Sequence, residues 1–415
     1  MSKEVVIIGG GIIGLCSAYY MLENGHKVTI IDKSDMNSGT SYVNSGYLSP
    51  SHLIPLSSPG AIKNGLKWMF NSSSPLYIKP RLDMNLYKWL FAFAKSSTNK
   101  HVYKSIPLIK EAMVFSQKLY DEIKQKDEFN FHYEKKGLLM LCKTKKYLDE
   151  ENRVVKIAKD NGLSAKMISK EELSDIEPNI NINAIGASYY NCDSHTTPDE
   201  FMRNMKEYLI NNGVKIIKNT IINDFNIENG SIKCISNNET KIFADHFVLS
   251  AGSWSSLLSK KIGLSLLLQA GKGYSLNIER KTNISIPAIL AEAKVAITPM
   301  NGFTRFAGTM EIAGINHKIN NNRVNAIISA TKNYYPQIGF TNDEFEKVKC
   351  GLRPVSPDGL PYIGRSKKCK NLIIATGHAM MGWGMGTATG LVVSELLDNK
   401  KPSINIMHYS PDRKF

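Results

Sequence analysis

Three glycines near the start of the 415-residue chain have the spacing G-x-G-x-x-G: Gly9, Gly11 and Gly14. In a nucleotide-binding turn with this spacing, the first glycine permits the tight turn and the second lets a pyrophosphate approach the backbone. The third lets a helix pack closely on a strand. Asp32 follows at the end of the next apolar run, where a carboxylate can accept hydrogen bonds from ribose hydroxyls. These residues predict a dinucleotide site, with NAD and FAD equally open because both contain the ADP half.

The elements that must position these residues can also be read from the sequence. Residues 5–8 form an apolar, β-branched run typical of a buried parallel strand, a helix follows the glycines and closes at Gly25, and residues 28–31 form the next strand. Two other interpretations exist, a membrane or secretory segment over the uncharged residues 5–22 and a glycine-rich turn of an ordinary α/β domain. Three consecutive glycines and the lack of a small-residue cleavage site argue against the first.

The chain is basic, with 52 Lys and Arg against 37 Asp and Glu and a formal net charge of +15. Such a charge suits nucleic acid or an anionic membrane surface. The lysines are scattered and no nucleic-acid motif accompanies them, so we predict no nucleic-acid partner. No other apolar stretch approaches spanning length, so any membrane contact should be peripheral.

The six cysteines show neither C-x-x-C nor metal-finger spacing. This usage favours reduced thiols in a cytoplasmic compartment, and the sequence predicts no metal site.

Strand and helix signals alternate along the chain in a pattern that predicts an α/β composite. A Rossmann-like nucleotide-binding domain is interleaved with a substrate domain built on an antiparallel sheet. Residues 59–120 are predicted helical, as are 148–161, 198–213 and 323–335. The nucleotide-binding domain is assigned residues 1–80, 196–262 and 346–415, and the substrate domain 81–195 and 263–345.

Several motifs along the chain, taken in order, resemble those of a known protein family. The chain resembles the FAD-dependent oxidoreductases that include D-amino acid oxidase and glycine oxidase, and within them the bacterial D-amino acid dehydrogenases of the small-subunit type. The likeness covers nearly the full length. Its motifs beyond the glycine turn are GTSYVNSGYLSP (39–50), SPGAIKNGLKWMF (58–70), KGYSL (272–276), GLRPVSPDGLPYIG (351–364) and TGHAMMGWGMGTATG (376–390).

The resemblance implies FAD, held without a covalent bond. The ADP half would lie at the glycine turn and Asp32, and the segment after Asp32 would cover the middle of the cofactor. Backbone donors of the last motif would approach the pyrimidine end of the flavin. The residues expected to bind the cofactor are Gly9, Gly11, Ile13, Gly14, Asp32, Thr40, Ser41, Asn44, Ala251, Gly252, Gly377, His378, Gly382, Trp383, Gly384 and Met385.

The same resemblance assigns substrate carboxylate binding to Arg353, because a guanidinium matches a carboxylate bidentately where lysine does not. A structural arginine that ties down a proline-rich turn is the alternative. Tyr274 is a second candidate contact, with cross-strand packing as its alternative. His52 and Arg305 are further candidates for the substrate pocket, and for His52 a structural role is the simpler interpretation.

The implied reaction is oxidative deamination of a D-amino acid, by hydride transfer from Cα to the flavin, to a 2-oxo acid and ammonia. A quinone-type acceptor would take the electrons, and the protein would be cytoplasmic or peripheral on the cytoplasmic face of the inner membrane. Two alternatives stay open. One is an oxidase of glycine, sarcosine or a cyclic imino acid that uses O2, and the other is a flavin-binding electron-relay subunit.

Overall fold

The computed structural model describes residues 1–60, 74–237 and 239–415. Most of the predicted motif at 58–70, including the LKWMF run, lies outside these ranges. The helices are α1 Ile12–Glu23, α2 Thr40–Val43, α3 Met84–Ser96, α4 Asn99–Lys124, α5 Lys145–Asp160, α6 Lys170–Ile176, α7 Pro198–Asn211, α8 Ser255–Lys261, α9 Asn321–Tyr334, α10 Asn342–Glu346 and α11 Gly386–Leu397. Short 3-10 turns occupy Gly252–Trp254 and Met407–Tyr409.

The strands follow the same order along the chain. They are β1 Glu4–Ile8, β2 Lys27–Ile31, β3 Tyr47–Leu48, β4 Leu76–Ile78, β5 Tyr133–Glu134, β6 Leu138–Cys142, β7 Ala165–Ser169, β8 Gly186–Tyr190, β9 Ser194–Thr196, β10 Lys215–Ile217, β11 Asp224–Glu228, β12 Ser231–Ser236, β13 Lys241–Phe243, β14 His246–Leu249, β15 Gln269–Ile278, β16 Ala288–Leu290, β17 Val295–Met300, β18 Phe303–Ile312, β19 Lys349–Val355, β20 Tyr362–Arg365 and β21 Leu372–Thr376.

A six-stranded sheet in the order β10-β2-β1-β14-β21-β20 forms the first layer. Its pairs are parallel except at β20, which runs antiparallel to β21. Residues 5–8 of β1 are buried, as expected for a parallel strand covered on both faces. The carboxyl ends of four parallel strands, β1, β2, β14 and β21, therefore meet along one edge, where ligands bind in open α/β sheets.

The second layer is a nine-stranded sheet in the order β19-β15-β18-β17-β16-β6-β8-β7, with β4 paired to β18. Its pairs are antiparallel except β16 with β6 and β18 with β4. Smaller sheets join β11, β12 and β13, and join β3, β9 and β5. The predicted fold class, a Rossmann-like domain with an interleaved antiparallel sheet, is confirmed.

The segment boundaries differ from the prediction at two strands. β4 was expected in the nucleotide-binding domain, yet it pairs with β18 through Met310 and Ile312. β19 was also expected there, yet it pairs along β15 over its whole length. Both β4 and β19 lie beside a predicted domain boundary. β4 joins the large sheet by pairing with β18, and β19 joins it by pairing with β15. β19 thereby carries Arg353 from the substrate sheet toward the nucleotide-binding sheet.

Close packing of α1 on its neighbours depends on two glycines. A Cβ on Gly14 would lie 1.9 Å from the Gly9 carbonyl oxygen, so only glycine lets the helix approach the end of β1. A Cβ on Gly390 of α11 would lie 2.5 Å from the carbonyl carbon of Cys16, in the middle of α1. Within the described ranges, no helix combines the length and apolarity needed to cross a membrane.

Candidate functional site

A cavity of about 870 Å³ lies along the carboxyl edge of the six-stranded sheet. Residues that end or follow the parallel strands line it, including Ile8, Ile31, Ser250 and Thr376. On the opposite side the lining comes from β19 and the segment just before it. The volume lies within the range of cofactor sites, and the position is the one where doubly wound sheets bind dinucleotides.

The glycine turn and Asp32 form one end of this cavity. The Gly10 N–H donates to Oδ2 of Asp32 at 2.7 Å, and the Ser34 N–H and hydroxyl donate to Oδ1 at 2.8 and 2.7 Å. Gly9 has φ +111°, and a Cβ there would lie 2.5 Å from the Ser250 carbonyl oxygen. The turn is therefore glycine-specific, and its hydrogen bonds fix the Asp32 carboxylate at the cavity wall.

The start of α1 is suited to an anion. Its first turn has no acidic residue and Gly11 offers no side-chain cap, although the Ser41 hydroxyl accepts the Ile12 N–H at 3.0 Å. Helix N-termini favour negative charge through free N–H groups and the helix dipole. These observations fit the pyrophosphate of a dinucleotide.

The charges of the side chains that line the cavity also favour a dinucleotide. Among the described residues that line it, Asp32 is the one acid, whereas Lys33, Lys261, Lys349 and Arg353 are cations. A cationic cavity with a single ordered carboxylate is complementary to a ligand that carries phosphates and ribose hydroxyls.

The carbonyl of Leu352 joins the two layers beside the cavity. It accepts the Thr40 hydroxyl at 3.0 Å and the Ser253 hydroxyl at 3.0 Å. The preceding Gly351 lets β19 approach α2, because a Cβ there would lie 2.7 Å from Cγ2 of Val43. The next residue on β19 is Arg353, so these contacts fix the backbone that carries its side chain.

Arg353 is a cation without an anionic partner. Its Nη1 donates to the Thr309 carbonyl at 3.1 Å, and no carboxylate within the described ranges forms an ion pair with it. A Cβ on Gly273 would lie 2.1 Å from Nη1, so the guanidinium occupies space that only glycine leaves open. Burial lowers the pKa of Arg353, yet a guanidinium stays charged at neutral pH. The remaining N–H groups are available to an anionic ligand.

The segment after β21 adds two aromatic side chains to the lining. His378 is buried and its Nε2 lies 3.0 Å from the Thr389 hydroxyl. Burial lowers the pKa of His378 to about 3, so the imidazole is neutral at pH 7. Trp383 is held by its indole N–H, which donates to the Thr196 hydroxyl at 2.9 Å.

Most of the predicted site residues meet at this cavity although they come from five stretches of the chain. Those that line it are Gly9, Gly11, Ile13, Asp32, Thr40, Ser41, Asn44, Ala251, Gly252, Arg353, His378, Gly382 and Trp383.

Four predicted cofactor residues pack next to the cavity without lining it. Gly14 lies against the Gly9 carbonyl, Gly377 against the Tyr362 ring and Gly384 against Met113. Met385 is 1% exposed and lies in the apolar core. Their predicted contacts with the cofactor stay predictions, because motif matching does not separate glycines that line a site from glycines that pack behind it.

Tyr274 is also misplaced by the prediction. Its hydroxyl donates to Oε2 of Glu311 at 2.6 Å, and Lys272 lies 3.3 Å from Oε1 of the same carboxylate. The ring is buried in the core of the large sheet and does not line the cavity. Of the KGYSL motif it is Gly273 that touches the Arg353 guanidinium.

Arg305 and His52 are not pocket residues either. Arg305 is 2% exposed and donates to the Tyr42 and Asn44 carbonyls at 2.7 and 2.8 Å, with Asp199 3.6 Å away. It thus holds the segment around α2 against the large sheet. His52 is exposed and lies outside the cavity lining.

Sequence reasoning missed a group of side chains at the cavity. The ammonium of Lys33 lies 3.9 Å from the centre of the Trp254 ring, which stacks on His317 with centroids 6.0 Å apart. All three residues line the cavity. Lys33 follows Asp32 directly, but Trp254 and His317 are distant in sequence and only the fold brings them together.

Comparison with known proteins defines the class. The family model described as "DAO: FAD dependent oxidoreductase" matches residues 4–396. The chain therefore belongs to this family of FAD-dependent oxidoreductases, which decides between the two cofactors that the glycine turn left open. The cavity fits the assignment, because the glycine turn, Asp32 and the cationic lining suit the dinucleotide part of FAD.

Individual relatives agree with the resemblance found in the sequence, which is confirmed. A D-amino acid dehydrogenase of Helicobacter pylori is 32% identical over 398 residues, covering 95% of each chain. Glycine oxidase from Geobacillus kaustophilus has a TM-score of 0.79 at 20% identity, covering 100% of this chain and 99% of the other. L-proline dehydrogenase from P. horikoshii has a TM-score of 0.75 at 20% identity, covering 99% and 97%. At these identities the two structures show the fold alone.

We predict that Asp32→Ala weakens FAD binding on the order of tenfold to a hundredfold, because hydrogen bonds to a charged group contribute about 1.5–3 kcal/mol. The measurement is the flavin-to-protein ratio after dialysis, together with an FAD titration of the stripped protein. Asp35→Ala is the matched control, since Asp35 is exposed and outside the lining. An Asp32→Ala protein purified with full flavin content would contradict the ribose role.

Proposed function

We propose that the chain catalyses the FAD-dependent oxidative deamination of D-amino acids to 2-oxo acids and ammonia. The proposal rests on Arg353, which lines the cofactor cavity. Its guanidinium has more N–H groups than the one carbonyl, that of Thr309, to which it is seen to donate. An amino acid supplies the missing carboxylate. The D-configuration is supported by the relatives of similar length that are named D-amino acid dehydrogenase.

Arg353 would bind the substrate carboxylate through two parallel N–H donors and so orient Cα in the cavity. The Thr309 carbonyl and the Gly273 backbone fix the guanidinium plane, and the anchored Leu352 carbonyl fixes the strand. Bound FAD supplies the acceptor for the hydride from Cα. His378 also lines the cavity and, being neutral at pH 7, adds no positive charge there. The substrate amine must be deprotonated for this reaction.

We predict that Arg353→Lys raises the KM for a D-amino acid at least tenfold while FAD stays bound. Lysine keeps the charge but loses the bidentate geometry, and one lost charged hydrogen bond costs about 1.5–3 kcal/mol. The measurement is steady-state kinetics with a dye acceptor, with flavin content measured on the same sample.

The control for this substitution is Arg280→Lys. Arg280 is exposed, pairs with Glu344 and is not among the residues that line the cavity. Its variant should keep the parent KM. Unchanged kinetics of Arg353→Lys would contradict the carboxylate role, whereas loss of flavin in that variant would assign Arg353 to cofactor binding instead.

We propose a quinone-type acceptor, in agreement with the dehydrogenase name of the full-length relatives. Purified protein given a D-amino acid should reduce a soluble quinone analogue much faster than it consumes O2. Oxygen uptake with stoichiometric hydrogen peroxide at a comparable rate would contradict this assignment and favour the oxidase alternative.

A membrane-bound acceptor requires contact with the bilayer, and α3 offers a surface for it. One face of this helix is buried through Leu86 and Trp89. Its other face, here called the outer face of α3, exposes large apolar side chains beside lysines, a combination typical of helices that lie in the interface of anionic membranes. The exposed residues are Met84 (67%), Tyr87 (48%) and Phe91 (74%), with Leu82 (98%) just before the helix and Lys88 and Lys95 on the same side.

We predict that the protein binds vesicles containing phosphatidylglycerol and that Phe91→Ser weakens this binding about tenfold or more. Burial of a phenylalanine side chain contributes about 1.5–3 kcal/mol. The measurement is co-sedimentation with vesicles of stated composition. Phe243→Ser is the control, because Phe243 is also well exposed (67%) but lies on β13. Equal binding of both variants would contradict the assignment of the outer face of α3.

A further inference from the structure

Outside the cofactor cavity, two histidines and a glutamate converge where β5 meets β9. His132 precedes β5, Glu134 is on β5, and His195 is the residue of β9 that pairs with Glu134. One ligand atom from each of the three residues lies within 4.8 Å of the others. His132 and Glu134 are two positions apart, whereas His195 is distant in sequence, so sequence reasoning predicted no metal here.

The distances suit a small metal ion. Nε2 of His195 lies 3.5 Å from Oε2 of Glu134, and Nε2 of His132 lies 3.6 Å from the same oxygen. Two ligands of a tetrahedral zinc ion, each at about 2.0–2.1 Å, are separated by about 3.3 Å. Small side-chain movements would therefore bring all three atoms into coordination.

The hydrogen bonding around the histidines leaves the inward nitrogens open. His195 is 0% exposed, and its Nε2 has no hydrogen-bond partner within the described residues. Nδ1 of His195 has no partner there either, whereas the Thr197 hydroxyl lies 3.1 Å from Nδ1 of His132. Metal-bound histidines usually bond their second nitrogen to such a group, which fixes the ring and its tautomer.

The types of side chain also suit zinc. Neutral histidine and ionised glutamate are the ligands that zinc takes. One group opposes the ion, since the ammonium of Lys136 lies 2.9 Å from Oε2 of Glu134. Lys136 is half-exposed and can move into solvent.

We propose that His132, Glu134 and His195 bind a divalent transition-metal ion, Zn²⁺ by preference, with water as the fourth ligand. The ion would join β5 to β9. Because β9 also pairs with β3, which follows the cavity-lining segment around α2, the site would stabilise this small sheet. The proposal is independent of the reaction, and its test needs no turnover.

The test is a zinc titration of the FAD-loaded protein after treatment with a chelator and dialysis. Calorimetry gives the affinity and elemental analysis gives the stoichiometry. We expect one Zn²⁺ per chain in the parent protein. His132→Ala and Glu134→Gln should each weaken binding at least tenfold, since loss of even an outer-shell partner costs about 10–100-fold. His132 and Glu134 are partly exposed, whereas His195 is buried. Substituting the first two therefore leaves the buried side chain of His195 in place.

Two further variants separate a metal site from a merely structural cluster. Lys136→Ala should tighten zinc binding, because it removes the ammonium that competes for Glu134. His246→Ala should bind zinc like the parent protein, although His246 also has a buried ring nitrogen without a hydrogen bond. In the Co²⁺-loaded protein, we expect ligand-field absorption without thiolate charge transfer.

Three results would overturn the proposal. The first is a parent protein that takes up no stoichiometric zinc. The second is equal zinc binding by His132→Ala, Glu134→Gln and the His246→Ala control. The third is thiolate charge transfer in the Co²⁺ spectrum, which would place the ion on one or more of the six free cysteines instead.

Discussion

The two hydroxyl donors on the Leu352 carbonyl are the contact on which the site depends. One comes from Thr40, which follows β2 of the nucleotide-binding sheet. The other comes from Ser253, which follows β14 of the same sheet. The carbonyl itself belongs to the substrate sheet. This acceptor thus ties the two layers together beside the cavity, and the next residue, Arg353, lines the cavity.

That position determines the electrostatics of the pocket. Arg353 has lost water and gained only a backbone carbonyl, so its surroundings favour an anionic ligand that restores the missing interactions. The glycine turn, suited to the cofactor phosphates, and this cation line the same cavity. One enclosed space can therefore bind both a dinucleotide and a carboxylate. This arrangement fits the family assignment and supports the proposed substrate class.

Features encoded locally could be predicted from the sequence. The glycine turn, Asp32 and the helix between them depend on neighbours in the chain, and their geometry matches the expectation. The fold class followed from the alternation of strand and helix signals. Arg353 was placed at the cavity because its motif is specific to the family.

Features that depend on tertiary contacts were not predictable. Tyr274 looked like a pocket residue, but strand alternation turns its hydroxyl to Glu311 while Gly273 faces Arg353. Arg305 serves as a tie between layers rather than a substrate contact. His195 joins His132 and Glu134 only through the pairing of β9 with β5, a register that no local pattern encodes.

The central claim is that Arg353 and bound FAD form one site for D-amino acids, and flavin reduction measures it directly. Purified FAD-loaded protein is mixed without oxygen with matched D- and L-amino acids while the absorbance of the oxidised flavin is followed. We expect D-amino acids to bleach the flavin and their L-enantiomers to leave it oxidised. Bleaching by L-amino acids alone, or by no D-amino acid of a broad panel, would contradict it.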